Sequence, residues 1–498
     1  MAAYNLTMIT ALLLCLASTP PQGQPTALEA LAASLPDFSR VGYRAGQTPP
    51  QLTPTIDAAE FGAIAGDDKD DGPALQRALD AAAAAGGGVV RLPAGRYTLA
   101  SRISIKTSGV VLQGAGSDST MLACPLSLTD IAGPNRNWSW SGALLSLSAA
   151  GKPETLGTVP AAVPAGSTRL PLELAGDTPP PKAGEWLELS WYNDAGHDTL
   201  LHHLHGDISY PAAMLKELRG RSDPRVTEWV QVAAYKEGRL TLATAIGLEL
   251  RPAWRPTLRR LPHISESGIE GLSFNFPKTK RQPHLKEHGY NAVSLGRAIN
   301  CWVRDLRIEH ADSGIAVGSS RQVTVQGITL TGKGMHHPLM LSRASHCLVT
   351  RWRIEAPHRH GTTLTWGAHL NVYSHGWGRD LALDCHRANA FDNLHTQIEL
   401  EVPGDLIQPL RSGGSYGRGP HAARGNIYWN VAFDFLDPEE PLEITGLGEW
   451  PRGVFVGWHG NHSLRLRSDE RYGHRVQDTN NAPAIANLHE YQVRLGAK

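Results

Sequence analysis

From Ile264 onward the chain repeats itself. Short runs with alternating apolar positions, Ile269–Phe274, Trp302–Ile308, Val323–Ile328 and Leu348–Ile354, return about every 20–25 residues. That spacing leaves room for a strand and a turn or two, but none for a crossover helix. A unit of this kind cannot bury its apolar face alone and becomes stable only when stacked on its neighbours, so the repeat predicts an all-β solenoid. Composition agrees: 498 residues with 51 Gly and 34 Pro suit many turns, and 41% hydrophobic residues supply a core. Lys+Arg and Asp+Glu both number 47, so net charge gives no argument for a nucleic-acid partner, and none is expected.

The N-terminal part adds a second constraint. Asp70-Asp71-Gly72-Pro73 followed by an Ala-rich run to Ala85 reads as a helix with acidic residues and Pro at its start, stopped by Gly86-Gly87-Gly88. Val89–Leu92, Arg96–Leu99, Ile103–Ile105 and Val110–Gln113 then read as closely spaced strands. This stretch, FGAIAGDDKDDGPALQRALDAAAAAGGGVVRLPAGRYTL and on to VVLQGAG, resembles the N-terminal segment of the pectate-lyase and polygalacturonase superfamily. The resemblance implies a right-handed parallel β-helix whose open end is capped by a short helix. It brings no catalytic residue with it, since fold alone does not set chemistry. The later stretches GYNAVSL, CWVRDLRIEHADSGIAV, LALDCHRANAFDNL and RSGGSYGRG are similar to an uncharacterised branch of that superfamily. The superfamily's polygalacturonase and pectate-lyase active-site signatures are absent.

Residues 133–262 break the pattern. Ser167–Leu172, Glu185–Leu189 and Glu228–Val232 alternate like antiparallel strands, which predicts an inserted β-rich module. His202, His203, His205 and Asp207 are expected in a loop of it, where a metal site is conceivable but solvated histidines are the simpler reading. The expected organisation is therefore a signal peptide over 1–24, cap and first coils over 25–132, the insert over 133–262, the main β-helix over 263–456 and a C-terminal cap over 457–498. The apolar run Met8–Ala17 is too short to span a bilayer and suits a signal peptide, so a secreted or periplasmic protein is expected, acting as a monomer without a membrane span. Cys301, Cys347 and Cys385 sit in or beside expected strands and read as buried small hydrophobes, with a disulfide between neighbouring coils as the alternative.

Stacked coils place residues one period apart about 4.8 Å apart, so outward side chains form columns. Aligning the coils on Ile315, Leu339, Leu364 and Leu381 puts Asp312, His336 and His360 on one side of the strand. Arg343, His369 and His386 fall on the other, with Arg411 extending the line if Leu406 opens the next coil. Ser342, Thr365 and Asp384 lie between them. A polysaccharide lyase needs a cation to neutralise a uronate carboxylate and a base to take the neighbouring proton; Arg and His suit those tasks. The candidate catalytic residues are His337, His360, Asp384, His386 and Arg387, with Arg387, Arg343 and Arg411 as candidate carboxylate clamps and His360 or His337 as the base. His336, Arg343, His369, Trp377, Arg411 and His421 are the candidate substrate-binding residues, with Trp366, Tyr373 and Trp429 flanking the strip. No residue is assigned to a metal. Ca²⁺ is the cation that Asp384 and other acids would serve, although no cluster of acids marks a site. The expected partner is an acidic polysaccharide. A glycoside hydrolase or intramolecular transferase using Asp384 with a second acid, and a non-catalytic binding solenoid, are the competing expectations.

Overall fold

A computed structural model describes residues 25–496 apart from 195, 207–208, 404–408, 437–441 and 445–446. The expected signal peptide, Asp207 and Leu406 lie outside the described residues. Residues 1–35 and 36–498 are two compact units. The described part of the first is a helix, Ala27–Ser34, closed at its start by a capping box between Thr26 and Glu29.

In the second unit the coils stack as a parallel β-helix. Strands from successive coils pair in parallel along a 14-stranded sheet and a six-stranded sheet. Along the larger sheet Trp302, Thr324, Leu348, Val372 and Leu394 are paired in turn, 22 to 24 residues apart. The interior is the expected apolar column, for example Val303, Val325 and Val349, all essentially inaccessible. The helix Gly72–Ala84 covers the first coils, with Pro near its start and Leu75, Ala78, Leu79 and Ala82 turned inward.

Polar ladders run through the same interior. Asn371 donates to Asn393 at 2.9 Å and Asn393 to Asn426 at 3.0 Å, all three buried. Their amides satisfy backbone groups at one corner of successive coils, which a buried corner requires. Tyr373, His395, Tyr428 and Phe455 stack in register with ring centroids 5.0, 5.1 and 5.4 Å apart. The four described cysteines are buried and free, so they serve as small core residues.

His395 in that stack gives the fold a pH dependence. Burial pushes its pKa down to about 3, and burial likewise pushes His205 down to about 4. Below about pH 6.5 the unfolded chain takes up protons that the folded one refuses. Stability is therefore expected to fall as pH drops from there towards 3, by about 1.4 kcal/mol per pH unit for each such histidine. Urea midpoints measured between pH 7.5 and 5 check this, and His395→Phe should flatten the slope. An unchanged slope in that variant contradicts it.

The antiparallel insert is a seven-stranded sheet drawn from Glu154–Thr158 through Thr257–Arg260. Leu145–Ser148, expected within the insert, is instead a rung of the six-stranded parallel sheet, paired with Ile103–Ile105 and Asn291–Gly296. The insert is anchored by a buried ion cluster. Glu228 accepts from Arg321 at 2.7 Å and lies 3.9 Å from His369, with Glu228 and Arg321 each 1% exposed. Burial alone would raise the Glu228 pKa, but His369 and Arg321 outweigh it and hold the carboxyl well below its usual range. At the C-terminal end Arg475–Gln477 adds a parallel rung, and helix Leu488–Gly496 lies against the coils through Glu490 on His375 at 2.7 Å. No described helix is long and apolar enough to cross a membrane.

Candidate active site

The six-stranded sheet forms the floor of a groove of about 1160 Å³. Its outward columns are Ser294, Ala316, Met340 and Thr363, and beside them Gly296, Gly318, Ser342 and Thr365. One coil further, Leu364 bridges to Cys385, which brings Asp384 beside Thr363 and His386 beside Thr365. The expected alignment of Leu339 with Leu364 is two residues out: Thr362 stands under Leu339 and Leu364 under Leu341. Thr362 fills an interior position because its hydroxyl bonds His395 Nε2 at 3.0 Å, so the apolar pattern breaks there.

The corrected register gathers His336, His337, His360 and His386 tightly. Ring centroids are 4.4 Å apart for His336–His337, 4.7 Å for His337–His360 and 4.4 Å for His360–His386. His284 joins from a loop, 5.0 Å from His336. Asp384, with no exposed surface, organises the group. It accepts from His386 Nδ1, Thr363 Oγ1 and Gly413 N, each at 3.0 Å. Because that hydroxyl is spent on Asp384, Thr363 Oγ1 accepts from His337 Nδ1 at 3.1 Å. One carboxylate thus sets two tautomers, and both Nε2 atoms keep a lone pair. His336 Nδ1 donates to Ser139 O at 2.6 Å, with the same consequence.

Electrostatics follow the packing. Burial alone would raise the Asp384 pKa, but His386, His360 and the His386 hydrogen bond hold it well below the carboxylate range. Burial pushes His360 down to about 3 and His336 to about 4, and lowers His337 strongly.

The walls combine the expected Arg411 with residues the sequence did not single out. Arg136 and Trp140 line one part, Arg281 and His284 another, and Arg359, Arg411 and Arg418 the rest. Arg281 and Arg359 have no carboxylate within ion-pair distance among the described residues. Arg411 is tied to Asp380 at 2.9 Å. Arg418 is braced by Glu217 of the insert at 2.8 Å, so the insert supports the loop carrying Ser412–Arg418.

Several expected site residues lie elsewhere. Arg387 is 7% exposed and is spent on Glu449 at 3.0 Å and on Gly419 O. The backbone at Arg387, Ala388 and Asn389 is left-handed, which turns the Arg387 side chain under the coil. His369 is fully buried, stacked on Phe391 at 4.8 Å and facing the insert. Trp377 sits in strand Val372–Arg379 of the other sheet, with Arg353 3.5 Å above its ring, and is not borne on a loop. Arg343 is not among the groove-lining residues; it lies 5.2 Å over the Trp366 ring and pairs with Asp223 at 2.6 Å. His421 lines an adjacent cavity of about 610 Å³ that Arg411 also borders. Tyr373 and Trp429, expected to flank the strip, are buried core residues, whereas Trp366 lines the groove. Asp312 is buried, holding the backbone of Gly289 and Tyr290 at 3.0 Å. His202, His203 and His205 lie on the helix Thr199–His205, where His203 bonds Arg424 and His205 bonds Asn389.

Calcium does not suit the groove. Ca²⁺ takes about six to eight oxygen ligands, whereas Asp380 is paired with Arg411 and Asp384 is engaged by three donors. The donors that converge are imidazoles: one ring nitrogen each of His337, His360 and His386, and likewise of His284, His336 and His360, lie within 4.8 Å of one another.

A family model described as Rhamnogalacturonase A/epimerase, pectate lyase-like, matches residues 55–131. Two curated proteins of Azotobacter vinelandii are similar over 74 residues. Mannuronan C5-epimerase AlgE3 is 44% identical and mannuronan C5-epimerase AlgE1 42%, each match covering 14% of this chain. The match covers only 4% and 5% of those proteins' own length. Among solved structures, the tailspike gp61 of Pseudomonas phage phi297 is 12% identical, with TM-score 0.45 over 86% of this chain and 76% of that one. The DFA-IIIase of Arthrobacter chlorophenolicus A6 in complex with GF2 is also 12% identical, with TM-score 0.40 over 89% of this chain and 88% of that one. The segment matched by the family model, 55–131, contributes none of the groove-lining residues, so the similarity bears on the start of the β-helix and leaves the reaction to the groove.

Proposed function

We propose that the protein is a polysaccharide lyase that cleaves a uronate-containing chain by β-elimination in this groove. The observation that carries the reading is a long groove lined by imidazoles and arginines, whose lining carboxylate, Asp380, is already neutralised by Arg411. Arg281 and Arg359, without a carboxylate partner among the described residues, bind uronate carboxylates in place of the expected Arg387. An imidazole presenting its Nε2 lone pair takes the proton from carbon 5 of the uronate. The electron pair forms the C4–C5 double bond as the C4–O4 bond breaks, and a proton passes to the departing oxygen. No water is added. Hydrolysis would require two carboxyl groups flanking the scissile bond, and the buried Asp384 is not placed to be one of them.

A second reading, epimerisation at carbon 5, shares the proton abstraction, and the N-terminal likeness to two mannuronan C5-epimerases favours it. Mass spectrometry of products formed from mannuronan and other polyuronates in deuterated water separates the readings. Elimination yields shortened chains one water lighter than hydrolysis products. Epimerisation yields chains of unchanged length carrying deuterium, and that result, or water-added fragments, overturns the lyase reading.

Arg281→Ala is expected to raise KM about 10- to 100-fold with a smaller change in kcat, as the loss of one charge-assisted carboxylate contact of about 1.5–3 kcal/mol implies. Initial rates against substrate concentration check this, and an unchanged KM contradicts the assignment.

A further inference from the structure

We infer that His337, His360 and His386 bind a divalent transition-metal ion of the zinc class in the floor of the groove. The three side chains come from two successive coils and the next, and one ring nitrogen of each lies within 4.8 Å of the others. His337 and His360 are 4% and 5% exposed. His360 Nε2 is buried with no hydrogen-bond partner among the described residues. Such an atom carries a cost unless something binds it. A second independent feature points to the same ligand. Zinc-bound histidines ordinarily donate their other ring N–H to a carboxylate or another acceptor, which fixes the tautomer. His386 does so directly to Asp384, and His337 does so through Thr363. Gly413 packs so closely over this pair that an added Cβ would lie 2.2 Å from the His360 ring and 2.5 Å from that of His386. The rings are therefore clasped from the groove side as well as from below.

Three imidazoles with a fourth position left open is the ligand set of a catalytic zinc site, with Zn–N lengths of about 2.0–2.1 Å and ligand nitrogens about 3.4 Å apart. The ring nitrogens, within 4.8 Å of one another, would draw together on the ion to meet it. Imidazoles select zinc-class ions over Ca²⁺ or Mg²⁺. In the alternative group of His284, His336 and His360, His284 is exposed, and His336 Nδ1 donates to Ser139 O, with the Glu287 carboxylate 3.6 Å away and not hydrogen-bonded to it. The ion's role rests on the lyase reading, although its binding does not. A uronate carboxylate entering the open position would be neutralised there, and the proton at carbon 5 would become easier to remove. His336, outside the ion's ligand set and with Nδ1 committed to Ser139 O, keeps Nε2 free to accept that proton.

The test uses the full chain, stripped with a chelator, dialysed and titrated with Co²⁺ without substrate. The visible absorption of the bound ion is followed, and Zn²⁺ is then added to displace it. One Co²⁺ per chain is expected, displaced by Zn²⁺. His386→Gln should weaken binding at least 100-fold and Asp384→Asn about 10- to 100-fold. His284→Gln and the distant His459→Gln should leave affinity unchanged. Absence of saturable binding to the wild-type chain at micromolar free ion overturns the inference. So does wild-type affinity in both His386→Gln and Asp384→Asn, or loss of binding in His284→Gln. Failure of the lyase reading shows separately, as metal binding without unsaturated product from any polyuronate.

Discussion

Asp384→Asn is expected to lower kcat on a polyuronate by about 10²- to 10⁴-fold while leaving KM within a few-fold of wild type. The side chain is fully buried and touches no substrate, so its effect must pass through the residues it positions. As a carboxylate it accepts from three donors at 3.0 Å: His386 Nδ1, Thr363 Oγ1 and Gly413 N. An amide of the same shape offers one acceptor oxygen and places an NH₂ where the second acceptor stood. His386 and Thr363 share one oxygen, Oδ2, and Gly413 N holds the other. With the NH₂ at Oδ2 both His386 and the Thr363–His337 relay lose their acceptor, and with it at Oδ1 the Gly413 N–H faces a donor. The imidazole can turn to its other tautomer and present N–H where a lone pair is needed. Simple unfolding would also lower the apparent kcat without changing KM, so the folded fraction of the variant is measured alongside by urea unfolding, and the kcat loss is expected in protein that remains folded. Thr363→Val should reproduce part of the effect, since it breaks only the relay to His337. A kcat for Asp384→Asn within tenfold of wild type contradicts the assignment of Asp384 as the positioning residue.

Glu228→Gln is expected to destabilise the fold by about 3–5 kcal/mol, at the upper end of what one substitution does. The Arg321 guanidinium, 1% exposed, would be left in the interior without its counter-charge. His369, 3.9 Å from the same carboxylate, would lose its acidic neighbour as well. Replacing both Glu228 and Arg321 with Met should cost less than Glu228→Gln alone, because a buried pair removed together leaves no orphan charge. A double-mutant cycle read by urea unfolding checks this, and additive losses would contradict it. Because Glu228 belongs to the insert and Arg321 to the coils, the cycle also measures how firmly the insert is fixed. That insert braces the groove loop through Glu217 and Arg418, so a shifted insert should also raise KM.

The β-helix was legible because its signal is repeated. Each coil brings alternating apolar residues at one spacing, and agreement among Val303, Val325 and Val349 outweighs local exceptions. The cap helix was legible for a different reason: Asp71, Pro73 and the triple glycine mark both of its ends. The imidazole cluster was legible in membership but not in register. Thr362 occupies an interior position that a solenoid pattern assigns to an aliphatic residue, and its partner His395 lies 33 residues on.

The groove walls left no such trace. Arg136, at the start of a short 3-10 helix, and Arg281 and His284, in a loop, belong to no period, and only the fold brings them to His336. Arg387 misled through proximity. It follows His386 directly, but left-handed backbone at Arg387, Ala388 and Asn389 turns it towards Glu449. His369 misled in the same way. It lies on the strip's side of the coil in sequence, yet the insert covers that side and buries it.

The central claim is elimination beside a carboxylate in the His-lined groove. Its most direct test is to incubate the protein with a panel of acidic polysaccharides and record two signals on the same reaction: near-ultraviolet absorbance of unsaturated uronate, and new reducing ends. The account predicts that with at least one polyuronate the two rise together, one double bond for each reducing end. Reducing ends that accumulate without the absorbance would contradict it.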